Sequence, residues 1–292
     1  MSALRHPVPM SFPPFFCGLP FTGRQAGKKL NWLLGGGEIR QLLKGVYVAT
    51  ETPDSPELRA AAAALVIPSD GVARAETAAW IHGIPTAALS ADEQVPIRWT
   101  RTPAETVNLA GHKVTSPAAT GVELALHLPR PFALASIDAL LRSGRADRAT
   151  LEGLLDQYDT HQAQLRARNI LKHADPRAES PAESWLRLRL LDAGFPKPDL
   201  QVRVSGPTRD YRLDLSYPDP IDGVRLGLEY DSDRWHSSDR DQVRDEERRT
   251  GLKALGWHII PVRRTDLWGS YPALELAVGA FLCRWPRLPR RW

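Results

Sequence analysis

Three acidic positions in the last third of the chain have the types and spacing for chemistry on a phosphodiester. In the run Tyr211 to Tyr217, strict alternation puts Tyr211, Leu213, Leu215 and Tyr217 on one face and Asp214 on the other. In Val224 to Asp231, the apolar face takes Val224, Leu226, Leu228 and Tyr230, and the opposite face takes Arg225, Gly227, Glu229 and Asp231. The turn-rich Pro218 to Gly223 joins the two runs, so they predict an antiparallel hairpin with Asp214, Glu229 and Asp231 gathered on one side. Carboxylates so placed raise one another's pKa unless a cation compensates. Mg²⁺, with Mn²⁺ as a substitute, suits the set, because it takes oxygen ligands and commonly binds one or two carboxylates plus a phosphate. An ion there would stabilise charge on the phosphate and acidify a bound water, which makes phosphodiester hydrolysis the expected reaction.

A helix must stand in front of these strands. Ser180-Pro181-Ala182-Glu183 reads as its start, with serine as cap, proline in the first turn and glutamate reaching back; Gly194 is its stop. Glu183 thus has a complete capping role, and a catalytic one needs separate support. Asp241, Arg244, Asp245, Arg248 and Leu252 recur at helical intervals up to Gly256, and Trp257 to Val262 reads as a further core strand. Arg244 and Arg248 either pair with acids along that helix or turn to the sheet and bind phosphate through their planar donors. Arg284, Arg287, Arg290 and Arg291, interleaved with Trp285 and Trp292, form a basic aromatic tail that either grips nucleic acid or frays.

Over roughly the last 110 residues, these elements resemble the Vsr-like and related endonucleases of the PD-(D/E)XK superfamily, especially the small nuclease-like domains of actinobacteria. The resemblance is carried by Ser-Pro-Ala-Glu-Ser-Trp-Leu-Arg, Arg-Leu-Asp-Leu, Leu-Glu-Tyr-Asp, His236, and then Asp245, Arg248, Leu252, Gly256 and Trp257. It implies a restriction-endonuclease-like mixed sheet flanked by helices. It also implies metal binding by Asp214 and Glu229, completion of the acidic site by Glu183, and Asp231 in the place of the usual lysine. Glu229-Tyr230-Asp231 therefore departs from the family's Glu-x-Lys, and another group must supply the cation. His236 is the candidate for proton transfer, since imidazole titrates near neutrality, or else a polar residue at a strand exit.

The rest of the chain points to nucleic acid more softly. Thr22 to Lys29 and Gly37 to Lys44 are short basic amphipathic stretches, followed by the β-like Gly45 to Val48. Helix, turn, helix and strand suggest a winged helix, with Ile39, Leu42 and Leu43 packed inward and Arg40, Gln41 and Lys44 facing a DNA duplex, or else a small helical cap with a solvated face. Leu33 to Gly37, Glu38 to Leu43 and Lys44 to Val48 resemble the winged-helix domain of AbiEi-type antitoxins. That resemblance implies operator binding and a cognate toxin or defence-system protein as partner. The stretch between, with helical patterns at Pro56 to Val66, Glu76 to His82, Gly121 to His127, Phe132 to Leu141 and Thr160 to His173, resembles the connecting region of such two-part proteins.

Composition sets the bounds. With 292 residues, 42% hydrophobic and 25% charged, the chain has material for two or three domains at roughly 100–150 residues each. The breaks fall near residues 52 and 175, giving 1–52 as DNA-binding, 53–175 as mostly helical connector and 176–292 as nuclease-like, α+β overall. The two cysteines, Cys17 and Cys283, make neither a disulfide framework nor a four-cysteine zinc site. The most apolar run, Ala60 to Ile67, falls well short of the roughly 20 residues of a membrane span, and Met1 to Pro20 does not read as a secretory signal, so a cytoplasmic protein is expected. A formal charge of +4 is compatible with a polyanionic partner. The expected function is a DNA-binding, Mg²⁺-dependent endonuclease; the alternative is an antitoxin-like repressor whose nuclease fold has lost catalysis.

Overall fold

The computed structural model describes residues 18–103, 105–157, 161–231 and 239–292, with the backbone alone for 239–243. The chain is α+β and divides into two compact units, Met1–Thr120 and Gly121–Trp292.

The first unit begins with β1 (Phe21–Thr22), α1 (Gly23–Ala26), a 3₁₀ turn (Gly27–Lys29) and α2 (Leu30–Gly35). Thr22 caps α1 reciprocally with Gln25, the backbone amide of each residue donating to the other's side chain. At the other end, the Gly37 amide donates to the Leu34 carbonyl at 3.1 Å and that of Glu38 to Leu33 at 3.1 Å. This Schellman closure needs a left-handed residue, which Gly37 supplies with φ of 69°. The helix is therefore finished before Ile39.

The helix expected over Gly37–Lys44 is not formed. Ile39–Leu43 is a strand, β2, paired antiparallel with β3 (Val46–Ala49), and the sheet runs β1-β3-β2. The error has a physical cause. A register shift between Gln41 and Leu43 buries Ile39 and Leu43 while Leu42 is half-buried, so a bulged strand shows the three-to-four spacing of a helix. Arg40 and Gln41 consequently lie on a strand and Lys44 at the hairpin turn. The helical part of the module is the segment before it, and Phe21, Leu33 and Ile39 form the shared core. The unit continues with α3 (Pro56–Ala64), β4 (Val72–Ala73), α4 (Ala75–Ile81), β5 (Trp99–Thr100), β6 (Thr106–Leu109) and β7 (His112–Thr115), whose sheet runs β5-β4-β7-β6. The helix α5 (Pro117–His127) carries the chain onward.

The second unit has α6 (Arg130–Arg142), α7 (Arg148–Leu155), α8 (His161–His173), α9 (Pro181–Asp192), β8 (Asp199–Ser205), β9 (Asp210–Ile221), β10 (Val224–Tyr230), α10 (Asp239–Ala254), β11 (Trp257–Val262), α11 (Arg264–Trp268) and α12 (Ala273–Phe281). Its sheet runs β11-β10-β9-β8, antiparallel except for the parallel pair β10 and β11. This is the expected mixed sheet with helices. The hairpin turn is tighter than its prolines suggest: β9 continues to Ile221, and Asp222 and Gly223, both with positive φ, reverse the chain. Pro261 is tolerated because β11 is an edge strand. Val204, Tyr211, Leu213 and Trp257 of the sheet pack with Leu252 of α10.

α9 is buried almost all round, although it carries charge. Arg187, with no exposed surface, pairs with Asp138 of α6 at 1% exposure, and Asp138 also accepts from Ser184 and from the Asp175 amide, each at 2.7 Å. The basic aromatic tail is not frayed. Arg290 grips Glu275 with two donors at 2.7 and 2.5 Å, the Trp292 indole donates to Asp192 at 3.0 Å, and the Arg189 guanidinium lies 3.6 Å from the centre of the Trp292 ring.

Candidate functional site

The carboxylates singled out from sequence fall into different settings. Ser180 caps α9 and Pro181 fills its first turn, so Glu183 reaches back: one oxygen accepts from the Ser180 hydroxyl at 2.9 Å, the other from the Glu179 amide at 2.9 Å and the Gln201 amide group at 2.8 Å. Its capping role is fully realised. Asp214, on β9, accepts one bond from the Tyr230 amide at 3.3 Å. Burial, helped by the nearby charges of Glu183 and Glu229, pushes the Asp214 carboxyl up to about 6, against the opposing pull of the Tyr230 bond and of Arg248.

Arg248 is the cation at this site. From α10 it donates to both oxygens of Glu229, one of them at 3.4 Å, and to the Arg212 carbonyl at 2.7 Å. Burial works against its charge, but Glu229, Asp214 and Asp245 more than offset that and hold its pKa above the ordinary value. The positive charge beside Glu229 is thus provided from a helix. Asp231 meets Arg249 at 3.5 Å, and both line a cavity of about 60 Å³ with Glu229, Asp245, Arg248 and Pro261. Arg244 is exposed on α10. His236 lies outside the described residues.

These residues do not fit a Mg²⁺ or Mn²⁺ ion as they stand. Both Glu229 oxygens are taken by Arg248 and both Glu183 oxygens by the cap and Gln201. Among the described residues, no three His, Cys, Asp or Glu side chains form a group able to hold a metal. The arrangement is a charge-compensated cluster with one strained carboxyl, Asp214.

The amino-terminal module offers the opposite electrostatics. Arg24, Lys28 and Lys29 are exposed along α1 and the following turn, with no carboxylate within ion-pair distance among the described residues, and Trp32 is half exposed beside them on α2. Of the residues expected to face DNA, Gln41 and Lys44 are exposed on the hairpin, whereas Arg40 donates to the Thr52 carbonyl at 2.8 Å. Arg24, Lys28 and Lys29 were not singled out from the sequence. The signals that place them on the helix are the Thr22/Gln25 capping pair and the Gly35-Gly36-Gly37 stop.

Residues 84–173 match the family model of the AbiEi antitoxin C-terminal domain. That match covers the connecting region rather than the amino-terminal module. Over 254 residues, 82% of this chain and 91% of the relative, the chain is 37% identical to an uncharacterized protein of Mycobacterium tuberculosis, Rv2248 in strain H37Rv, and to the same degree to MT2308 in strain CDC 1551 / Oshkosh. The chain belongs to the family of these mycobacterial proteins. No solved structure matches. Among the described residues, no helix is long and apolar enough to cross a membrane.

Proposed function

We propose that the protein is a DNA-binding regulator of the antitoxin type, with a cognate toxin or defence-system protein as its partner. The observation that carries this reading is the antitoxin-domain match over residues 84–173, which lies further along the chain from a strand, helix and hairpin module whose basic face has no carboxylate partner among the described residues. In the proposed complex, Arg24 contacts phosphates from α1 and Lys28 and Lys29 from the turn after it, while Gln41 and Lys44 reach the backbone from the hairpin. Arg40 supports the hairpin from behind through Thr52.

The test is binding of the full chain to a duplex carrying the sequence upstream of its own gene, followed by fluorescence anisotropy across a salt series. A triple variant, Arg24→Ala with Lys28→Ala and Lys29→Ala, is expected to bind more weakly and to lower the slope of log K against log salt by about 3. An unchanged affinity and slope would remove the proposal.

A second reading, a Mg²⁺- or Mn²⁺-dependent nuclease built on Asp214 and Glu229, draws on one observation: burial, with the nearby Glu183 and Glu229 carboxylates adding to it, pushes the Asp214 carboxyl up. Arg248 weighs against it by holding Glu229. Supercoiled plasmid incubated with Mg²⁺, Mn²⁺ or EDTA separates the two. Metal-dependent nicking lost in Asp214→Ala and Glu229→Ala supports the nuclease, and intact plasmid throughout supports the regulator.

A further inference from the structure

Trp285 is 94% exposed, the most exposed of the large hydrophobic side chains described in the chain. Exposure of a tryptophan usually reflects a loose end. Here the backbone on both sides of it is fixed. The Arg284 amide donates to the Gly279 carbonyl at 2.9 Å and the Arg287 amide to the Ala193 carbonyl at 2.8 Å. Three residues further on, Arg290 is locked into Glu275 and, at 2.8 Å, the Asp266 carbonyl. The indole is therefore presented to solvent by a strap tied down before and after it.

The neighbours of Trp285 carry charge that the fold does not consume. Arg290 and Arg291 pair with Glu275 and Asp192. Arg284 and Arg287 are exposed, and neither has a carboxylate within ion-pair distance among the described residues. The Arg287 side chain lies across Gly194, where a Cβ would come within 2.8 Å of its Nε and 3.0 Å of its Cδ, so its stem and Nε are seated on the glycine while the residue stays exposed. An exposed aromatic ring with an arginine one position before it and another two positions after it, neither with a carboxylate partner among the described residues, matches a nucleotide chain, in which each unit has one anionic phosphate and one π-face. A duplex offers only base edges and keeps its π-faces stacked. A free base has the face to offer.

We propose that Arg284, Trp285 and Arg287 form a stacking platform for single-stranded nucleic acid, separate from the duplex-binding face of the amino-terminal module. Trp285 stacks on one unpaired base while Arg284 and Arg287 hold the phosphates that flank it. Replacement of Trp285 leaves the fold intact, because its side chain contributes almost nothing to the core.

The experiment measures binding of the full chain to a fluorescently labelled 12-nucleotide oligothymidine by anisotropy at two salt concentrations. The wild type is compared with Trp285→Ala, Trp285→Phe and the pair Arg284→Ala with Arg287→Ala, and the triple variant of the amino-terminal face serves as a control. Trp285→Ala is expected to weaken binding about tenfold and Trp285→Phe much less, since phenylalanine keeps a π-face. The arginine pair is expected to weaken binding and flatten its salt dependence. In the background of the amino-terminal variant, Trp285→Ala should still weaken oligothymidine binding by the same factor, so failure of the duplex proposal and of this one are told apart. No measurable oligonucleotide binding by the wild type, or equal binding by wild type and Trp285→Ala, overturns the proposal. It is also overturned if Trp285→Ala leaves oligonucleotide binding intact and instead abolishes association with a protein partner.

Discussion

Asp214 offers the sharpest quantitative test, because it is a carboxyl held in its less favourable state at neutral pH. An acid whose folded pKa is raised gives the folded chain an affinity for a proton that the unfolded chain lacks. Its contribution is therefore most favourable below the unfolded value of 3.8, declines as pH rises through the interval, and reaches its full penalty above about 6. That interval, at about 1.4 kcal/mol per pH unit, is worth no more than about 3 kcal/mol. Asp214→Asn removes the charge and keeps an acceptor for the Tyr230 amide, so it should stabilise the chain at pH 7.5 by up to that amount. For a unit of this size the full gain corresponds to a rise of about 6–12 °C in Tm. The assay is urea unfolding of wild type and variant from pH 4 to 8 in EDTA, read as a difference at each pH. The difference matters because other groups titrate in the acid range: Asp175, whose burial is outweighed by Arg177 and Lys197, is driven strongly downward and loses its stabilising effect as pH falls. A variant no more stable than wild type at pH 7.5, or a difference that does not shrink toward pH 4, would refute the charge argument.

Two further outcomes follow from the buried charges. Asp138→Ala leaves Arg187 uncompensated with no access to water, and should cost about 3–5 kcal/mol by denaturant unfolding. The double replacement Asp138→Leu with Arg187→Met should cost less than Asp138→Ala, and a simple sum of single effects would show that the pair is not coupled. Trp292→Ala removes the ring over Arg189 and the donor to Asp192, and is expected to lower stability by about 2–4 kcal/mol while leaving α9 folded by circular dichroism.

Much of the second unit was legible because its signals are local. Ser180, Pro181 and Gly194 bound α9 by cap, φ and left-handed stop, and the alternation from Tyr211 and from Val224 marks two real strands. The amino-terminal module was misread at Gly37–Lys44 because periodicity cannot distinguish a helix from a strand with a bulge at Gln41. The partner of each charge was not legible at all. Arg248 and Glu229 are 19 residues apart and Arg187 and Asp138 are 49 apart, and such pairings are decided by how whole elements pack. The three carboxylates suggest a metal from sequence because the arginine that answers Glu229 comes from another element, α10, 19 residues further along the chain.

The sorting of the basic residues bears on function more than their sum. A formal charge of +4 on 292 residues is too small a bias to indicate a partner. Many arginines are consumed by the fold: Arg130 on Asp192, Arg148 on the Leu171 and Ala174 carbonyls, Arg187 on Asp138, Arg248 on Glu229 and Arg290 on Glu275. Other basic side chains are exposed without a carboxylate within ion-pair distance among the described residues; two groups of these, Arg24, Lys28 and Lys29 in the first unit and Arg284 and Arg287 in the second, lie close in sequence to an exposed tryptophan. The acidic cluster, with its own arginine in place, repels a phosphate backbone less than its three carboxylates alone would.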